Sequence, residues 1–89
     1  MRVREIQSGQ VYRGAKAKSG VDAHLTTDRI VIDVLHDRRR LVLISEAMGG
    51  PTLWTTPAVV WVKVGAGGAR CGLCSLAWFA RWAWEVVES

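Results

Sequence analysis

The run from Arg29 to Glu46, R-I-V-I-D-V-L-H-D-R-R-R-L-V-L-I-S-E, limits the folds open to this chain more than any other stretch. Side chains alternate sides along an extended strand. Ile30, Ile32 and Val34 would then share one face, and Val31, Asp33 and Leu35 the other. Leu41, Leu43 and Ser45 repeat the rhythm against Val42, Ile44 and Glu46. His36, Asp37, Arg38 and Arg39 interrupt the apolar pattern with turn-compatible polar residues. The pattern predicts a β-hairpin, the central pair of a small sheet.

The rest of the chain supplies further short strands. Val11-Tyr12-Arg13 lies between Gly9 and Gly14 and has the β-branched and aromatic character of a half-buried pleat. Val21 to Thr27 alternates weakly, with Val21, Ala23 and Leu25 inward. Ala58 to Val64 is the strongest strand, with Ala58, Val60, Val62 and Val64 on one face and Val59, Trp61 and Lys63 on the other. Ala69 to Leu73 is a shorter one, after a Gly65–Gly68 turn. Ala47 to Pro57 carries two glycines, two prolines and three threonines and reads as a loop. Trp54 in that loop reads as a lid over the open end of the core, with a contact residue as the alternative.

Ser75 to Trp84 predicts a helix capped by Ser75. At about 100° per residue, Leu76, Phe79, Ala80 and Ala83 share the face that should dock on the sheet. Trp78, Arg81 and Glu85 lie opposite, and Trp82 at the margin. Val86-Val87-Glu88 reads as a last short strand or as the end of the helix. The expected fold is mainly β (α+β): a small bent antiparallel sheet or SH3-like barrel of about five strands with one C-terminal helix, forming a single domain. At 89 residues, stability depends on a dense core, and five tryptophans, one phenylalanine and one tyrosine provide it.

No membrane span is expected, because no window approaches the ~18 continuous apolar residues one needs. The first residues are charged and lack the apolar run of a signal peptide. A cytoplasmic protein with reduced cysteines is expected.

Charge and cysteine spacing frame the functional classes. The formal net charge is +4. Arg2, Arg4, Arg13, Lys16 and Lys18 face only Glu5 in the first part of the chain, and Arg38, Arg39 and Arg40 form a second block. Such a surface suits nucleic acid, an acidic protein face or an anionic membrane, and its plainer role is solubility. Arg38 to Arg40 at a hairpin tip would reach phosphates, with Arg13, Lys16 and Lys18 along the same surface and Tyr12, Trp54 or Trp61 as stacking platforms.

Cys71-Gly72-Leu73-Cys74 has the C-x-x-C spacing of a metal chelate or thiol–disulfide motif. A second C-x-x-C is missing, and His24 and His36 lack paired spacing, so no metal or other cofactor is expected; two half-buried thiols ahead of the helix account for the pair more simply. No G-x-S-x-G elbow and no carboxylate pair points to an enzyme. Gly65 to Gly68 lacks the lysine of a phosphate cradle.

Gly9, Tyr12 and Arg13, then Ile30 to Leu35, Trp61, Cys71, Phe79 with Trp82, and Val86 with Val87 fall in an order that resembles small uncharacterised accessory proteins of phages and prophages. The insert Ala47 to Pro57 and the C-G-L-C pair depart from that pattern. The resemblance implies a compact SH3-like barrel, a binding role without chemistry, and no catalytic residue to carry over. The resulting expectation is a phage-type binding protein in the host cytoplasm. It would act on nucleic acid or on a nucleic-acid-handling host complex, as an inhibitor of host defence, with Arg38, Arg39 and Arg40 supplying charge and Trp54 and Trp78 apolar anchors. The runner-up is a protein-interaction or homodimerisation module using the tryptophan side of the helix. The third reading is a small zinc or thiol protein built on Cys71 and Cys74.

Overall fold

The computed structural model describes residues 1–14, 28–50, 52–64 and 71–87. After a 3₁₀ turn at Val3–Glu5 come β1 (Val11–Gly14), β2 (Arg29–Leu35), α1 (Arg38–Ala47), β3 (Ala58–Lys63), β4 (Cys71–Ser75), α2 (Leu76–Trp82) and β5 (Ala83–Val87). The strand expected over Val21–Thr27 and the turn at Gly65–Gly68 lie outside the described residues.

The second half of the expected hairpin is a helix, and Asp37 is the reason. Its backbone is extended, and its carboxylate accepts a hydrogen bond from the Arg39 amide at 3.0 Å, as an N-cap does. Leu41 and Ser45, one turn apart, are buried, and Ile44 beside them packs on the same core. Gly49 stops the helix: it follows the C-cap Met48, has φ +75°, and its amide donates to Glu46 at 3.1 Å. The apolar run Leu41 to Ile44 satisfies a period of 2 or of 3.6, so the capping residues at either end decide.

With α1 in the place of a returning strand, β2 pairs with β3. The five strands form one antiparallel sheet in the order β4-β3-β2-β1-β5. The expected alternation in β2 also shifts. Val31 lies opposite Trp61 and Val34 opposite Val59, leaving Ile32 without a partner in a bulge. One extra residue reverses every side chain beyond it, so Val31 and Val34 share a face and Leu35 turns to the other.

Each face of the sheet carries a core. On one, Tyr12, Val31 and Val59 meet Ile6 and the α2 residues Leu76, Phe79 and Ala80, with Ala83 beside them. On the other, Leu35 and Ala58 meet Leu41, with Ile44, Leu53, Val60 and Leu73 packed around them. The α2 face expected to dock is therefore the docked one. Ser75 caps that helix, its hydroxyl accepting from the Trp78 amide at 3.1 Å.

The helix is shorter than expected and does not end the fold. Ala83 is already extended, and β5 runs from there along β1. The Met1 ammonium donates to the carbonyls of Ala80 and Ala83 at 3.0 and 3.2 Å, satisfying acceptors that the helix end leaves open.

The sheet must be strongly bent. Strands β4 and β5 occupy its two edges, yet seven helical residues join them. A helix of that length spans about 10.5 Å, whereas four inter-strand spacings of a flat sheet measure about 19 Å. Among the described residues β4 and β5 do not pair, so the sheet remains open rather than closing into a barrel. The protein is a small α+β domain, mainly β, with two helices. No helix among the described residues is long and apolar enough to cross a membrane.

Candidate functional site

Three arginines open α1, and the first turn contains no acidic residue. The peptide dipoles make this end positive, so a cation there costs about 0.3–1 kcal/mol where a carboxylate would gain as much. Arg40 is relieved by Asp33 of β2, 3.0 Å away. Arg38 and Arg39 have no ion pair among the described residues. The helix start thus concentrates positive charge that the Asp37 carboxylate at the N-cap offsets only in part.

Beside it lies an apolar groove. Arg38, Arg39, Val42, Leu43 and Trp54, with Asp37, line an open cavity of about 560 Å³. Leu43 is 66% exposed and Trp54 57%. The adjacent Leu53 explains where Trp54 goes. Its amide donates to the buried Ser45 hydroxyl at 3.1 Å, and its side chain packs in the α1 core. The loop is thereby tied to α1 with Leu53 inward and Trp54 outward. Trp54 is not a lid over the core end; it flanks the outer face of α1.

The structure brings Arg38, Arg39 and Trp54 to one surface and places the other described candidates, Arg40, Arg13 and Trp78, elsewhere. Arg40 points to Asp33. Arg13 is held by both oxygens of Asp28, at 2.9 and 3.2 Å, and approaches Glu85 at 3.5 Å. Lys16, Lys18 and His24 lie outside the described residues. Trp78, 50% exposed, sits on α2 across the sheet from α1.

Tyr12 is fully buried and offers no stacking platform. Its hydroxyl donates to the Glu5 carbonyl at 2.8 Å and accepts from the Gln7 amide at 2.7 Å, and burial pushes its pKa up. His36 is exposed.

Cys71 and Cys74 do not form a chelating turn, because both lie within strand β4. Their partners on β3 are Val62 and Val59, which belong to opposite faces of the sheet. Three residues of strand also separate their Cα atoms by about 10 Å, beyond the span of a disulfide. Burial pushes the Cys74 thiol up, against the opposing influence of the Trp61 N–H dipole and the Arg29 charge. No cluster of three His, Cys, Asp or Glu able to hold a metal occurs among the described residues.

Sequence reasoning missed Arg29. Its guanidinium lies between the Trp61 ring, 3.9 Å away, and the Trp82 ring, 4.2 Å away. Its Nε and Nη1, and the Trp61 Nε1, are buried with no hydrogen-bond partner at bonding geometry among the described residues. Desolvation lowers the Arg29 pKa, and two indole faces take the place of a counter-ion. Glycines close the stack: Trp61 covers Gly72 on β4, and Trp82 covers Gly14 on β1. The one signal in the sequence was glycine inside strand patterns, which marks close approach of another group. The spacing of Arg29, Trp61 and Trp82 along the chain carries none.

The α1 groove combines two cations that have no ion pair among the described residues with an exposed indole and aliphatic floor. It has no nucleophile paired with a base, and it suits an anionic ligand that also presents a flat apolar group. Compared with protein families, with curated proteins and with solved structures, the chain gives no match in any of the three.

Proposed function

We propose that this chain is a non-enzymatic binding module that docks on nucleic acid, or on a nucleic-acid-handling host complex, through the start of α1. The convergence of Arg38, Arg39 and Trp54 on one open groove is the observation that carries this reading. The cations supply phosphate attraction, and the indole supplies a stacking face. The sequence resemblance to phage accessory proteins supports the setting: a role in the host cytoplasm, with inhibition of host defence as its outcome and the bent sheet as an SH3-like scaffold.

Salt dependence tests it. Two phosphate contacts on duplex DNA give a log–log slope of about −1.8, so affinity should fall about tenfold between 50 and 200 mM salt. Replacing Arg38, Arg39 and Arg40 with glutamate should remove binding to DNA and RNA. Affinity that survives this reversal would sink the proposal.

The second reading is a homodimer or protein-interaction module, favoured by Trp84, 68% exposed on the edge strand β5, and by Trp78 on the preceding helix. An exposed edge strand with aromatic side chains invites a partner strand. Here Trp78→Glu should abolish a concentration-dependent rise in mass measured by sedimentation. A monomer at every concentration removes the homodimer.

A further inference from the structure

We infer that the occupant of the α1 groove is a single-stranded segment of nucleic acid, with one unpaired base against Trp54 and the adjoining phosphates on Arg38 and Arg39. This rests on the nucleic-acid reading above and narrows it to a ligand class.

The surface chemistry separates single strand from duplex. Val42, Leu43 and Trp54 make most of the groove apolar. A duplex buries the faces of its bases and presents phosphates, sugars and groove edges to a protein. Leu43 and the Trp54 indole, both more than half exposed, would gain little against such a surface. An unpaired base offers a flat apolar face that fills a concave site and stacks on an aromatic ring. The charge count points the same way. Two arginines provide few contacts for a mode that relies on phosphate neutralisation alone, so stacking must contribute much of the affinity. Arg38 and Arg39 are consecutive on a helix and therefore diverge by about 100°, which suits phosphates on either side of one seated base. Asp37 also lines the groove, and its carboxylate, which accepts from the Arg39 amide at 3.0 Å, offsets part of the arginine charge, which leaves more of the affinity to stacking.

The test titrates the full chain with a homopyrimidine single strand of about 12 nucleotides, as DNA and as RNA, and with a duplex of equal length. Anisotropy of the labelled nucleic acid reads binding at 50 and 200 mM salt. Variants are Trp54→Ala, Trp54→Phe, the pair Arg38→Ala with Arg39→Ala, and Trp78→Ala as an aromatic control on the opposite side. Trp54→Ala should weaken single-strand binding roughly 10- to 100-fold. Trp54→Phe should recover part of that loss, and Trp78→Ala should change nothing. The double arginine variant should flatten the salt slope by about 1.4.

Three results would overturn the inference. Equal single-strand affinity for wild type and Trp54→Ala, with loss in the arginine variant, leaves charge-driven nucleic-acid binding standing and removes the seated base. Tighter binding of duplex than of single strand does the same. Absence of any nucleic-acid binding, together with saturable binding of an acidic peptide that Trp54→Ala abolishes, removes both the inference and the nucleic-acid reading and assigns the groove to a protein partner.

Discussion

Phe79→Ala is expected to lower the unfolding free energy by about 3–5 kcal/mol. The ring is fully buried where α2 meets the sheet. It meets Tyr12 edge-on, with centroids 5.7 Å apart at 88°, and lies 5.2 Å from the Trp82 ring. Truncation leaves a cavity between a helix and a strand that cannot close on each other, because the short α2 is held between β4 and β5. Loss of two aromatic contacts adds to the transfer cost. A chain of this length holds roughly 5–13 kcal/mol in total, so about a quarter or more of its stability goes. Thermal melting should shift down by about 15–30 °C. Urea unfolding gives the cleaner measure: the midpoint should fall while the slope stays constant. A loss under about 1 kcal/mol would mean that α2 does not rest on the sheet at all.

Gly72→Ala should cost about 2–3 kcal/mol, although it adds a single methyl group. A Cβ at this position would clash with the Trp61 indole ring. The ring is crowded: the Arg29 guanidinium stands 3.9 Å from its centroid and 4.2 Å from that of Trp82, which in turn covers Gly14. A Cβ on Gly14 would already stand 2.6 Å from the Trp82 indole nitrogen, so the stack has no slack at its far end. Moving Trp61 would also expose or misplace a guanidinium whose buried nitrogens depend on the two indoles for their environment. Gly50→Ala is the matched control. Nothing lies within 4 Å of a Cβ there, and its φ is not positive. It should be neutral, or stabilise by about 0.4–1 kcal/mol through the unfolded chain. Near-ultraviolet circular dichroism should report the disturbed tryptophans in the first variant alone. Equal stability of the two variants would show that Trp61 does not cover strand β4.

How much of this was legible differs from element to element. Helix α2 could be read because its signals agree: Ser75 as cap, and Leu76, Phe79 and Ala80 at helical spacing, all buried. Strand β3 could be read from its β-branched run. At α1 the signals competed. Asp37 and Gly49 marked a helix, while Leu41 to Ile44 also fitted the alternation of a strand, and the local pattern could not say which neighbour would cover it. The groove was half legible. Arg38 and Arg39 stood out as charge and Trp54 as an oddity in a loop, but their meeting depends on the Ser45–Leu53 hydrogen bond that folds the loop back on the helix.

Local rules, by themselves, determined which segments are apolar on one side, where α2 starts, and that the domain is mainly β. The tertiary structure alone decided that β2 turns to β3, that one unpaired residue at Ile32 moves Leu35 to the second core, and that Arg29 sits between two indoles. The physical reason is range. Caps and periodicity act within about one turn or one strand, whereas pairing partners, bulges and the burial of a cation are settled by residues tens of positions away competing for the same surface.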